Sequence, residues 1–194
     1  MAQLVDSKSA NPGPLGLFAF GVTTLVLSSI NAGLIPHESI PAVVPLAFAF
    51  GGVAQIIAGI LEFVQGNTFG MVAFTSYGLF WWWFALLQWT IGAGWLKAPP
   101  PAAGGTVLLC WGLFTLALWI VTLRLNKVLF SVFLLLTITF FLLAAGDFGM
   151  GTAKLGGYLG LLTGLDAILL GFFELLNTVA GRTVIPLGSP LLHD

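Results

Sequence analysis

A chain of 194 residues that is 58% hydrophobic and 7% charged cannot coat a water-soluble domain, for which about 25% charged residues is usual. Six Lys/Arg against seven Asp/Glu leave a net charge of −1, so a basic nucleic-acid surface is excluded and no nucleic-acid partner is expected. Lipid must be the solvent for most of the surface, and the single cysteine, Cys110, excludes a disulfide framework.

A membrane-crossing helix needs about 20 mostly apolar residues. Six stretches meet that requirement. The polar segment Met1–Asn11 lacks the basic-then-apolar pattern of a cleaved leader, so the first stretch is expected to be a retained span. That span, Pro14–Leu34, follows Asn11–Pro12–Gly13–Pro14, with proline where a helix start tolerates it. It carries Thr23, Thr24, Ser28, Ser29 and Asn31, and hydroxyls in membrane helices commonly bond their own backbone. In the second span, Ala42–Val64, the spacing of Gly52, Gln55, Gly59 and Glu62 places them on one helical face. Two roles for Gln55 stand open there: interhelical glue and solute contact. Glu62 falls near the end of the span, within reach of the interface.

The third span, Thr68–Ile91, opens behind the N-capping pair Asn67–Thr68. Its mid-span run Trp81–Trp82–Trp83 is expected to face lipid or a neighbouring subunit. The fourth, Gly105–Leu123, has Trp111 near its start, and Trp111 and Trp95 fit interfacial anchoring. The fifth is Val128–Ala145. The sixth, Gly156–Thr178, holds Asp166 near its middle, and a lone intramembrane carboxylate is a functional candidate unless a neighbour such as Thr163 simply satisfies it. Glu174 and Asn177, closer to the end, read as structural anchors.

These runs are continuous, whereas barrel strands alternate in polarity. The expectation is an all-α integral membrane protein with six transmembrane helices in one domain, residues 1–194, because the connections are too short for a separate soluble unit. An even number of spans puts both termini on one side. Lys8, Arg124, Lys127 and Arg182 gather there against Lys97 and Lys154 on the other, favouring cytoplasmic termini in a multi-pass protein of the cell (inner or plasma) membrane. His37 and His193 are far apart in sequence, and no hydrolase, zinc or phosphate-loop motif is present. No enzyme, metal or cofactor is expected, and passage of small solutes is.

The heptad Asn11–Leu17 reads NPGPLGL and runs into FAFGVTTLVL. With Gly51–Trp81 (GGVAQIIAGILEFVQGNTFGMVAFTSYGLFW), Trp111–Leu116 (WGLFTL) and Gly181–Gly188 (GRTVIPLG), it resembles the acetate uptake transporter family, YaaH-type, over nearly the whole chain. The resemblance implies six helices per subunit, a homohexamer set in membrane lipid, and a solute path through each subunit for acetate and related small carboxylates such as succinate. It also implies an aromatic–aromatic–aliphatic constriction, which maps onto Phe20 in GLFAFG, Tyr77 in FTSYG and Leu136 in VFLLLTI. Thr23, Thr24, Thr75, Ser76 and Thr137 lie beside that collar in sequence and, with Gln55 and Asn67, are the candidate substrate contacts, since neutral hydroxyls and amides can replace water around a carboxylate without holding it too tightly to leave. Asp166 and Glu62 are the candidates for proton coupling. Two positions depart from the family pattern: Gly13 stands where alanine is usual, and Asp166 where a small or hydroxyl residue is expected. An anion channel and a proton symporter are both open. The competing classes are a neutral-solute channel, for ammonia or water, and a membrane scaffold.

Overall fold

A computed structural model describes residues 10–192, so Lys8 of the charge count and the tail His193 lie outside the described residues. All regular structure among the described residues is helical, and six helical stretches are long and apolar enough to cross a membrane. The first is α1 (Gly13–Asn31). The second is composite: a single 3₁₀ turn (His37–Ser39), α2 (Ile40–Leu46), a π-helical segment (Ala47–Ala54) and α3 (Gln55–Val64). The others are α4 (Thr68–Gly92), α5 (Pro101–Thr122), α6 (Lys127–Ala145), which continues into a π turn (Gly146–Met150), and α7 (Ala153–Ala180).

Several helix ends differ from the hydropathy reading, each for a local reason. α1 stops at Asn31 instead of Leu34, because Gly33 turns the chain with φ of 73°. α5 starts at Pro101, four residues before Gly105, since proline is well placed in the first turn of a helix. The break expected at Gly146–Leu155 narrows to residues 151–152, between the π turn and α7, with Gly149 and Gly151 turning the chain at positive φ. In the second span Pro45 has no N–H to give and crowds the carbonyl four residues back, and Gly51–Gly52 adds backbone freedom. The helix answers by widening into π geometry, and α geometry resumes at Gln55.

The closest packing joins α1 to α7. A Cβ added at Gly157 would press on the backbone of Asn31 and Ala32, and one at Gly160 on the Ser28 hydroxyl. At Gly164 it would sit 2.9 Å from the Gly21 carbonyl oxygen, and at Gly21 it would sit 2.7 Å from that of Gly164. Small residues let helix backbones approach where lipid supplies no hydrophobic drive of its own. Residues 157, 160, 164 and 171 recur at helical spacing, so one stripe of glycines builds the seam.

The opposite wall is aromatic. Trp81 is 2% exposed and packs against Phe80 and Phe84, so it belongs to the interior and not to the lipid face expected of the tryptophan run; Trp82 is exposed. Trp111 likewise packs inward, with ring centroids 5.2 Å from Phe80 and 5.9 Å from Tyr77, and is no interfacial anchor. Trp95 is exposed beside Trp89, as an interfacial residue would be.

After α7 the chain reverses at Gly181 and forms a strap. Asn177 holds it from both sides: its Nδ2 donates to the Ile185 carbonyl (2.8 Å), and its Oδ1 accepts from the N–H groups of Val184 and Ile185 (2.7 and 2.9 Å). Val128 N–H donates to Leu187 O, and Leu191 and Leu192 donate to Leu123 O. The end of α7 is thereby tied to the turn between α5 and α6.

Candidate functional site

A cavity of about 380 Å³ opens where α1 and α4 begin and α3 and α7 end. Five helices supply its wall, and Leu187 of the strap lies at its mouth. Phe20, Tyr77 and Leu136 all line it, from three different helices. At 1.5 Å per residue they stand about 10–14 Å along their helices from the mouth, near mid-membrane.

The Phe20 and Tyr77 rings are 5.7 Å apart and inclined at 49°. Phe133, one turn before Leu136, lies 6.1 Å from Tyr77. The phenol oxygen of Tyr77 is 2.9 Å from Thr115 Oγ1, and the Thr115 hydroxyl donates 2.7 Å to Trp111 O. The single proton of Thr115 is therefore committed, and Tyr77 is the donor between them. That bond holds the ring in place and turns its hydroxyl away from the cavity, so the face offered to a solute is apolar.

Polar groups collect at the mouth. Asn67 caps α4 by accepting from Gly70 N–H (3.1 Å), and its amide donates to Glu62 Oε2 (2.7 Å). Asn11 Oδ1 accepts from Gly13 N–H (2.9 Å), and the Asn11 side chain also hydrogen-bonds Glu174. A Cβ built on Gly13 would fall 2.5 Å from Glu174 Oε2 and 3.6 Å from Glu62 Oε1, so the two carboxylates flank the start of α1. Gln65 Nε2 donates to Ala10 O and fastens the α3–α4 turn to the segment before α1. The starts of α1 and α4 thus converge on one opening, with carboxylates beside them.

Gln55 sits deeper, about 13 Å up α3 from Val64 and level with the collar. It is 1% exposed and lines the cavity, and neither Nε2 nor Oε1 has a hydrogen-bond partner among the described residues.

Of the candidate substrate contacts, Gln55 and Asn67 line the cavity and the hydroxyls do not. Thr23 donates to Ala19 O and packs on Gly51, and Thr137 donates to Phe133 O. Thr75 is pressed against Gly59 in the α3–α4 contact. Ser76 opens on a separate depression lined by Cys110, Trp111 and Phe114. Thr24 is buried one turn beyond Phe20, its hydroxyl without a partner among the described residues. Of the coupling candidates, Glu62 is in the wall at the mouth, 3% exposed, while Asp166 is outside it. Asp166 accepts a 2.6 Å hydrogen bond from Ser131 on α6, not from Thr163, whose hydroxyl donates to Leu159 O. Glu174 and Asn177, read as anchors, are both in the wall. The signal for Glu174 was present: it follows Ala167, Leu170 and Gly171 on the buried stripe of α7.

The model of the GPR1/FUN34/yaaH family matches residues 1–188. This chain belongs to that family. Within it, the succinate-acetate/proton symporter SatP of Escherichia coli K12 is 42% identical over 95% of this chain and 98% of its own length. Acetate permease A of Emericella nidulans is 40% identical over 82% of this chain and 59% of its own. The solved structure of a bacterial acetate channel, SatP, superposes with a TM-score of 0.88 at 42% identity, covering 93% of this chain and all of that one. The family members named here are transporters and channels, and the six-helix architecture is shared with the solved one.

Proposed function

We propose that this protein carries acetate and related small carboxylates such as succinate across a membrane, one path per subunit, with Phe20, Tyr77 and Leu136 as the constriction. One observation carries the reading: large side chains from three helices line a single cavity about 10–14 Å along their helices from its mouth. An apolar collar of this kind admits a methyl group and strips water from whatever follows it. The names of the SatP and acetate permease relatives support the same substrate class. Arg124, Lys127 and Arg182 lie on the side of the mouth, which supports cytoplasmic termini in a cell or plasma membrane. A homohexamer in lipid is part of the proposal, supported by the family resemblance.

The test is flux through purified protein in vesicles. Labelled acetate uptake should exceed protein-free vesicles, with ammonia and water permeability unchanged. Phe20→Ala, Tyr77→Ala and Leu136→Ala should each alter acetate flux or selectivity severalfold. Ammonia or water flux without acetate flux would establish the neutral-solute reading, and wild-type behaviour in all three variants would remove the collar.

A further inference from the structure

The cavity wall and the solute do not match in charge. Among the described residues, those in its wall that titrate are Glu62 on α3, Tyr77 on α4 and Glu174 on α7; α1 and α6 contribute none, and none of them is Lys, Arg or His. A carboxylate anion drawn to collar depth would leave two acidic groups behind it and meet no cation among the described residues, in surroundings where unscreened charges interact strongly.

The polar group waiting there is an amide. Gln55 is almost wholly enclosed, and both ends of its side chain lack partners among the described residues. A buried amide left unsatisfied is costly, and Gln offers a donor and an acceptor side by side. An ionised carboxylate has acceptors only, so it satisfies the Gln55 N–H and sets an oxygen lone pair against Oε1. A carboxylic acid presents one O–H and one C=O at the same spacing as the amide. The two close a ring of paired hydrogen bonds, and either orientation of the Gln55 amide accepts it.

We propose that Gln55 is the specificity residue of the pathway and that it recognises the solute as the neutral, protonated acid. This rests on the transport reading above. The solute then crosses the collar uncharged and brings its own proton, so the collar needs no cation beyond it. A primary carboxamide of the same size, acetamide, carries the same donor and acceptor without titrating and is the direct probe.

The experiment is equilibrium binding to the purified full chain, by displacement of labelled acetate, from mildly acidic to neutral pH. Acetamide should displace acetate with an affinity that stays constant across the range. Acetate affinity, expressed in total acetate, should fall about tenfold per pH unit above the acid's own pKa, because only the protonated fraction binds. Gln55→Met, which keeps the bulk and removes the amide, should weaken both ligands about tenfold or more, the loss of one to two net hydrogen bonds. Acetate bound equally well at every pH, acetamide ignored, or acetamide falling with pH as steeply as acetate each overturns the neutral-acid reading and leaves transport standing. Wild-type acetamide affinity in Gln55→Met overturns the role of Gln55. Should that variant not fold, the two wild-type pH profiles still decide. A chain that binds neither ligand removes the transport reading together with this one.

Discussion

The seam between α1 and α7 and the collar between α1, α4 and α6 share one helix, and both are built mainly of apolar residues. At the seam α7 offers glycines at 157, 160, 164 and 171, and backbone meets backbone with no volume left. At the collar the residues are large, and because Phe20, Tyr77 and Leu136 reach in from three sides their bulk holds the backbones apart. Hydropathy cannot distinguish these two regions. Side-chain size does: small residues seal and large ones frame an opening. α1 serves both, presenting Gly21 to the seam and Phe20 to the cavity from adjacent positions.

The seam is where this contrast can be broken most severely. Gly157→Val forces a branched side chain onto the Ala32 backbone, which cannot rotate away, and should cost more than about 3 kcal/mol, at or above the usual overpacking range. Size-exclusion profiles and thermal unfolding in detergent check it; a monodisperse protein with wild-type Tm would show the seam to be loose. At the collar a smaller effect is expected from Tyr77→Phe. It keeps the ring and deletes the bond to Thr115, whose own proton is still spent on Trp111 O, so about 1 kcal/mol of stability should go while acetate flux persists. Unchanged Tm in that variant would mean the hydroxyl does not hold the ring. The smallest effect belongs to Asp166→Asn, a site in neither region. An amide oxygen can still accept from Ser131, so stability should shift by less than about 1 kcal/mol and uptake driven by a pH gradient should match wild type. A loss of gradient-driven uptake would make Asp166 part of the coupling machinery.

The six crossings were legible because hydropathy reports the solvent around a helix. Register within a helix was partly legible. Gln55 and Glu62 stood out as polar groups on a shared face with Gly52 and Gly59, and that face does turn inward. Thr23 and Thr137 misled, because a hydroxyl near a collar residue in sequence is free only if its own backbone does not claim it, and both carbonyls four residues back do. Trp81 and Trp111 misled in another way: the run and the end-of-span position suggested lipid, but Tyr77, Phe80 and Phe84 made them part of an aromatic core. The meeting of Glu62 with Glu174 across Gly13 could not be read at all, since it depends on where α3 and α7 end relative to α1. The glycine at position 13 is the one sequence trace of it, an absence of side chain where two carboxylates need room.

The π-helical segment Ala47–Ala54 has a consequence for everything below it in the second span. Each residue of an α-helix advances the face by about 100°. A wider turn accommodates surplus chain without lengthening the span in proportion, so it works as a vernier between the upper and lower halves. Deleting one residue between Ala47 and Ala54 would let the segment relax to ordinary helix while leaving both ends of the span in the membrane. The two halves would then keep their mutual facing, with Gln55 and Glu62 still on the cavity, whereas the same deletion in an ordinary stretch of helix would swing everything beyond it by about 100°.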